Sequence, residues 1–290
     1  MAGVSPSSVP LRLYLKDGVR PPQAIEALAA RIADARNLPG SVSRGGITPE
    51  ADAAYLERRQ ADYLHWAEVT EGQLGNVTRD LEVLALPYTA AYYEIRGLTP
   101  SSPHAVAFID AEVARQVRRL EDLRDDLQRR LDRAIAAPGA IAVLDTNVLL
   151  HHQLPDSVAW REVVGAESVR VVVPLRVIEE LDEKKHSTSE KARRRARDRL
   201  PRLYALVGTG GAPKALPHGH GSIEVFIEPG PRSRPADADT EILETAHDLR
   251  RLSGASVTIV TSDTGMRLRA EAEGLATVAM PASYEAGADG

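Results

Sequence analysis

From residue 139 onward the chain is written in short apolar runs. They fall at 141–144, 169–173, 223–227 and 257–260, with a weaker fifth at 276–279, and helical stretches lie between most of them. Strands that alternate with helices are the pattern of a parallel sheet covered on both faces. The second half is therefore expected to be an α/β domain. Two loops are expected within it, at 208–222 and 228–235, where Gly, Pro or basic residues crowd together.

The first half carries no strand pattern. Pro21-Pro22 opens an Ala-rich stretch that reaches Arg36. Thr48-Pro49-Glu50 reads as a cap, a first-turn proline and a favourable acid for a second helix, and Asn76 is expected to start a third. A last helix is expected from Ser102-Pro103 to about Ala136, roughly 50 Å at about 1.5 Å per residue. Val113, Leu120 and Leu127 recur along it at seven-residue intervals, and Val117, Leu123 and Leu131 fill the same side. The repeat lasts about three heptads and Arg124 interrupts its second row, which favours packing within a bundle over a self-associating coiled coil. A homodimer through this half is the alternative. Pro138-Gly139 would end the helix, so the expected domains are an all-α region at 1–139, an α/β domain at 140–281 and a flexible tail at 282–290.

Composition narrows the chemistry. With no cysteine among 290 residues there is no disulfide, thiol nucleophile, thiolate zinc site or iron–sulfur cluster. A net charge of -5 excludes a polybasic nucleic-acid coat, so any such binding must be local. Residues 1–19 hold no basic stretch leading into an apolar core, and nowhere do about 18 apolar residues run together. A cytoplasmic protein with no membrane segment is expected.

In an open parallel sheet, function gathers just past the carboxyl ends of the strands. Here those ends deliver acids. The run at 141–144 is followed by Asp145-Thr146-Asn147, and the run at 257–260 by Thr261-Ser262-Asp263. Between them, the run at 169–173 feeds Glu179-Glu180, and Asp237 and Asp239 stand where a further helix begins. Right-handed crossovers can bring these helix starts to the same edge. Carboxylates that converge raise one another's pKa unless a cation neutralises them, and a hard divalent ion such as Mg2+ or Mn2+ is the natural occupant. The plainer alternative is that each acid only caps the helix that follows it.

Four segments, taken in order, resemble the PIN-domain nuclease family. They are Val143-Leu-Asp-Thr-Asn-Val-Leu-Leu150, Val173-Pro-Leu-Arg-Val-Ile-Glu-Glu-Leu-Asp182, Asp239-Thr-Glu-Ile-Leu243, and Val260-Thr-Ser-Asp263 with Arg267-Leu-Arg-Ala270 and Gly274-Leu275. The likeness is greatest to the PIN domains that precede a PhoH-type ATPase, and it covers about residues 140–281. It implies a metal-dependent endoribonuclease that leaves a 5′-phosphate and a 3′-hydroxyl. Matched one at a time, Asp145, Glu180, Asp239 and Asp263 take the places of the family's four acids, with Asp237 a near competitor for Asp239. Asn147, Thr261 and Ser262 fall where the family carries polar neighbours of those acids. A metal at this edge would polarise the scissile phosphate and activate a water, and four carboxylates suggest two ions.

The substrate-binding surface is expected just beyond Glu180. Between residues 184 and 199 stand Lys184, Lys185, Lys191, Arg193, Arg194, Arg195, Arg197 and Arg199 against Glu190 and Asp198, a balance of +6. Such a face would hold RNA, single-stranded or structured, by its phosphates. The alternative is a solvated helix face.

Other features read plainly. His151 and His152 point apart on a helix and suit packing or solvent. His218 and His220 in a Gly/Pro loop could take up adventitious metal. The stretch 208–214 lacks the ending of a phosphate loop. Two other functions compete with the nuclease. A haloacid-dehalogenase-type phosphotransferase would want a second Asp where Asn147 stands. A non-catalytic PIN-like module would bind RNA or protein without cleavage.

Overall fold

The computed structural model describes residues 11–38, 49–208, 212–217, 221–228 and 237–286. Thr48, His218, His220 and residues 209–211 and 287–290 lie outside the described residues. The described chain divides into two compact units, with the division between Arg130 and Leu131.

The first unit is helical. It contains α1 (Pro21–Asn37), α2 (Pro49–Val77), α3 (Leu81–Leu84), α4 (Ala90–Arg96) and most of α5 (Ala105–Ala134). In α1, Ala24, Leu28, Ile32 and Ala35 are buried at spacings of three and four, the stripe that a 3.6-residue period dictates. The third helix does not start at Asn76, because α2 runs through that residue to Val77. The next start is set instead by Asp80, whose carboxylate accepts from the Glu82 amide at 2.9 Å, and the one after by Thr89, which accepts from Tyr92. The apolar seam of α5 is buried from Val113 through Val117, Leu120 and Leu123 to Leu127. Glu112 is buried beside that seam and accepts from Thr89 at 2.9 Å, Gln116 at 2.7 Å and Arg115 at 2.7 Å. Burial of Tyr63 pushes its hydroxyl well above the usual phenol range, and the charge of nearby Glu112 adds to the rise.

The second unit holds a six-stranded sheet. In chain order its elements are β1 (Ala140–Leu144), α6 (Thr146–His151), α7 (Trp160–Val164), β2 (Val169–Pro174), α8 (Leu175–Lys184), α9 (Glu190–Val207), β3 (Lys214–Ala215), β4 (Ser222–Phe226), α10 (Ala238–Ser253), β5 (Val257–Val260), α11 (Thr264–Ala272) and β6 (Ala276–Val278). The spatial order is β3-β4-β2-β1-β5-β6, with every pairing parallel except β3 with β4. The α/β class and the covered parallel sheet follow from the apolar runs as expected. All six residues of β2 and four of the five in β1 are buried, which is why neither alternates. The chain leaves β1 toward β2 and later returns to β1's other side as β5, so the strand order reverses at β1. That is the place where open α/β sheets bind ligands.

One buried ion cluster ties β2, β4 and the end of α5 together. Arg170 and Glu224 are both fully buried and paired, and Arg133 also pairs with Glu224. Arg170 further donates to the carbonyl oxygens of Ala134 and, at 2.9 Å, Arg133. Two charges in this setting are tolerated only because nearly every polar atom is matched. Glu224→Ala should lower the stability of the second unit by about 3–5 kcal/mol, whereas Arg170→Met with Glu224→Leu should cost far less. Urea unfolding followed by the buried Trp160, in a Trp66→Phe background, measures both.

Candidate active site

The register of β1 with β5 sets Leu144 against Val260, so the residues after them emerge side by side at one sheet edge. Those residues are Asp145 and Thr261. The Thr261 hydroxyl donates to Asp145 Oδ2 at 2.7 Å, and the Asp145 amide donates to the Val260 carbonyl at 3.2 Å. Asp145 stands at the N-cap of α6 yet makes no capping hydrogen bond, and it is only 5% exposed. Burial pushes its carboxyl above the usual range. The Thr261 hydroxyl and the amides of Asn147 and Thr146 draw it back, and the negative charge of Asp239 adds to the rise.

The other acids reach this edge by different routes. Glu180 lies half-buried on α8, and the Thr146 hydroxyl donates to its Oε2. Asp239 sits in the first turn of α10 and is ion-paired to Arg269 of α11. Asp237 caps α10 by accepting from the Thr240 amide at 3.1 Å, and its carboxyl is held below the usual range by Thr240 and then Arg269. Asp263 caps α11, accepting from the Met266 amide at 2.9 Å, and its own amide donates to Thr261 Oγ1 at 3.0 Å. Capping thus accounts for Asp237 and Asp263 but not for Asp145, Glu180 or Asp239. Asp239 is the acid whose charge reaches Asp145, which favours it over Asp237 as its partner. Asn147 is half-buried beside Asp145 and Ser262 is exposed.

The donor set is one of carboxylates and hydroxyls, which suits a hard divalent ion, and a nearby cation would offset the burial that raises Asp145 and neutralise the charge of Asp239. Among the described residues, however, no group of three or more His, Asp or Glu side chains is gathered closely enough to hold a metal. Each acid is held by a protein partner instead. The donors fit the ion in kind, and the acids would have to exchange those partners for it.

The basic segment divides by helical period. Lys184, Lys191, Arg194 and Arg197 are exposed, and Lys185 and Arg193 are half-buried, with Lys185 paired to Asp182. Arg195 and Arg199 correct the expectation of a continuous phosphate-binding face, because both are buried. Arg199 donates to the carbonyls of Leu149 at 2.6 Å and His152, and Arg195 donates to the Leu150 carbonyl and approaches His151 Nδ1 at 3.1 Å. They satisfy the carbonyls at the end of α6, the helix that follows Asp145. His152 is buried and His151 exposed, and desolvation lowers the pKa of both. Residues 282–286 are not a loose tail either. Tyr284 and Ala286 exchange backbone hydrogen bonds of 2.7 Å and 2.9 Å with Gln153 and His151.

Thr146 and Arg269 were not marked by sequence reasoning as site residues. Thr146 could have been found as the hydroxyl adjoining Asp145. Arg269 lies in the segment 267–270 that carries part of the family resemblance, but its pairing gives no local signal, since its partners lie 30 and 32 residues away.

Residues 142–281 match the PIN-domain family model. The segment matched begins in β1 and ends just after β6, so it holds every acid described above. PIN domains are generally nucleases, and the second unit's mostly parallel sheet flanked by helices is consistent with a PIN-like fold. A similar solved structure is a domain of a functionally unknown protein from Methanocaldococcus jannaschii DSM 2661, 16% identical, covering 51% of this chain and 96% of that one with a TM-score of 0.32. The curated proteins contain no match to the chain.

The raised pKa of Asp145 has a definite sign in stability. Between the ordinary carboxyl pKa, near 4, and the higher folded value, the folded state binds more protons than the unfolded one, so stability falls as pH rises through that window. In EDTA, Asp145→Asn should therefore unfold at higher urea than the wild type at pH 7, and the gap should close as the pH approaches 4. Urea midpoints across that range measure it.

Proposed function

We propose that the PIN-like unit is a divalent-metal-dependent endoribonuclease that hydrolyses phosphodiester bonds of RNA. The observation that carries this reading is Asp145, a carboxylate kept buried at the end of the central strand and electrostatically coupled to Asp239. Mg2+ or Mn2+ would be held by Asp145, Glu180, Asp239 and Asp263, and would supply Lewis-acid polarisation of the phosphate and activation of the attacking water. The chain's own residues do the positioning. Thr261 fixes the Asp145 carboxylate, Thr146 orients Glu180, and the α11 cap fixes Asp263. Lys184, Lys191, Arg193, Arg194 and Arg197 would hold phosphates near this edge without reading bases. With only two Phe and two Trp in the chain, recognition would rest on backbone charge and RNA shape more than on base stacking. Within the PIN domains, the motif order supports kinship with those that precede PhoH-type ATPases.

A second reading, a non-catalytic module that binds RNA or protein, is favoured by one observation: every candidate acid has a partner within the protein. Cleavage of a labelled structured RNA and a matched DNA in Mg2+, Mn2+ or EDTA separates the readings. Expected is EDTA-sensitive cleavage of RNA, reduced in Asp145→Asn by more than about a hundredfold, beyond the 10–100-fold typical of groups that only support a ligand. Tight RNA binding with no cleavage in either metal would establish the module instead. Replacing Arg193, Arg194 and Arg197 with Gln should flatten the dependence of log affinity on log salt by about 0.7–0.9 for each phosphate that is no longer neutralised. Replacing the buried Arg199 should instead lower stability, which a thermal melt would report.

A further inference from the structure

Asp239 has two neighbours of opposite meaning. Its charge raises the pKa of Asp145, and its carboxylate is itself held by Arg269. Arg269 forks across the start of α10, donating to Asp239 Oδ2 and, at 3.1 Å, to Asp237 Oδ2. Desolvation lowers the guanidinium's pKa, but Asp239 and Asp237 together outweigh it and hold it above the usual range. Arg269 projects from α11, so the helix capped by Asp263 also carries the cation that engages Asp239. The side chains are 45% exposed for Arg269 and 36% for Asp239, so the pair can open without disturbing the core.

Resting on the metal-nuclease reading, we propose that Arg269 is a resident counter-cation of the site, which competes with the divalent ion for Asp239 and must leave that carboxylate before the ion can take it. The charges make the competition direct. A carboxylate that accepts from a guanidinium fork has fewer lone pairs left for a metal, and a guanidinium that stays in place repels an approaching dication. Exposure makes it reversible, since an exposed ion pair contributes little and yields to salt.

The test is direct Mn2+ binding to the full chain, read from the loss of the free-ion electron paramagnetic resonance signal, for wild type, Arg269→Gln and Arg269→Lys. Arg269→Gln should bind Mn2+ about fivefold more tightly, in keeping with loss of an exposed pair, and Arg269→Lys should stay near the wild type because it keeps the charge. In the wild type, the Arg269 Nε–Hε resonance should shift as Mg2+ saturates the site, which a merely structural arginine would not show. Equal Mn2+ affinity in wild type and Arg269→Gln, or an Arg269 resonance unmoved by saturating Mg2+, would overturn this proposal and leave the metal-nuclease reading standing. Failure of all three chains to bind Mn2+ would overturn both.

Discussion

The candidate site depends on the pairing of β1 with β5. A slip of one residue in this pairing would exchange the faces of every side chain on one strand and carry Asp145 out of reach of Thr261. That register sets Leu144 against Val260 and so delivers Asp145 and Thr261 to the same point at the same height. The 2.7 Å hydrogen bond between them is the local result of a constraint that runs the length of both strands. Asp145 can be buried because Thr261 is there to donate to it, and Thr261 is there because Val257, Ile259 and Val260 had to be packed.

The same economy of placement appears at the opposite side of the sheet. Arg170 and Glu224 lie on adjacent strands and share a fully buried setting with Arg133 of α5. A buried pair gives little net stability against an apolar isostere, but it is strict about geometry. Arg170 accepts only an arrangement in which the last turn of α5 presents the Arg133 and Ala134 carbonyls to it. The end of α5 is thereby fixed to β2 and β4, a few residues before β1 begins.

The parallel strands were legible because a strand buried on both faces is mostly apolar, and 141–144, 169–173 and 257–260 are so apart from Arg170 and Thr258. The strand β3 was not legible, since Lys214 and Ala215 are exposed and pair only along an antiparallel edge. The acids were visible one by one, but a sequence does not say which of them caps a helix. Asp263 and Asp237 cap, whereas Asp145 occupies a cap position without making the bond. Charge density misled at α9 because it ignored period. Arg195 and Arg199 share the buried stripe of Ala196, Leu200, Leu203 and Val207, while Lys191, Arg194 and Arg197 fall outside it. A long arginine on such a stripe can still be buried if carbonyls wait for it, and the end of α6 provides them.

The last described residues carry a practical consequence for anyone trimming or fusing this chain. The PIN-domain match stops at residue 281, but the folded unit does not. Past that point the chain returns to α6, with Tyr284 and Ala286 bonded to Gln153 and His151 and the Tyr284 hydroxyl accepting from the Ala159 amide. Arg195 also reaches the Ala286 carbonyl. A clone cut at the family boundary would therefore unclasp the far end of the short helix whose near end begins at Asp145, and a protein made that way would be a poor witness to what the whole unit does.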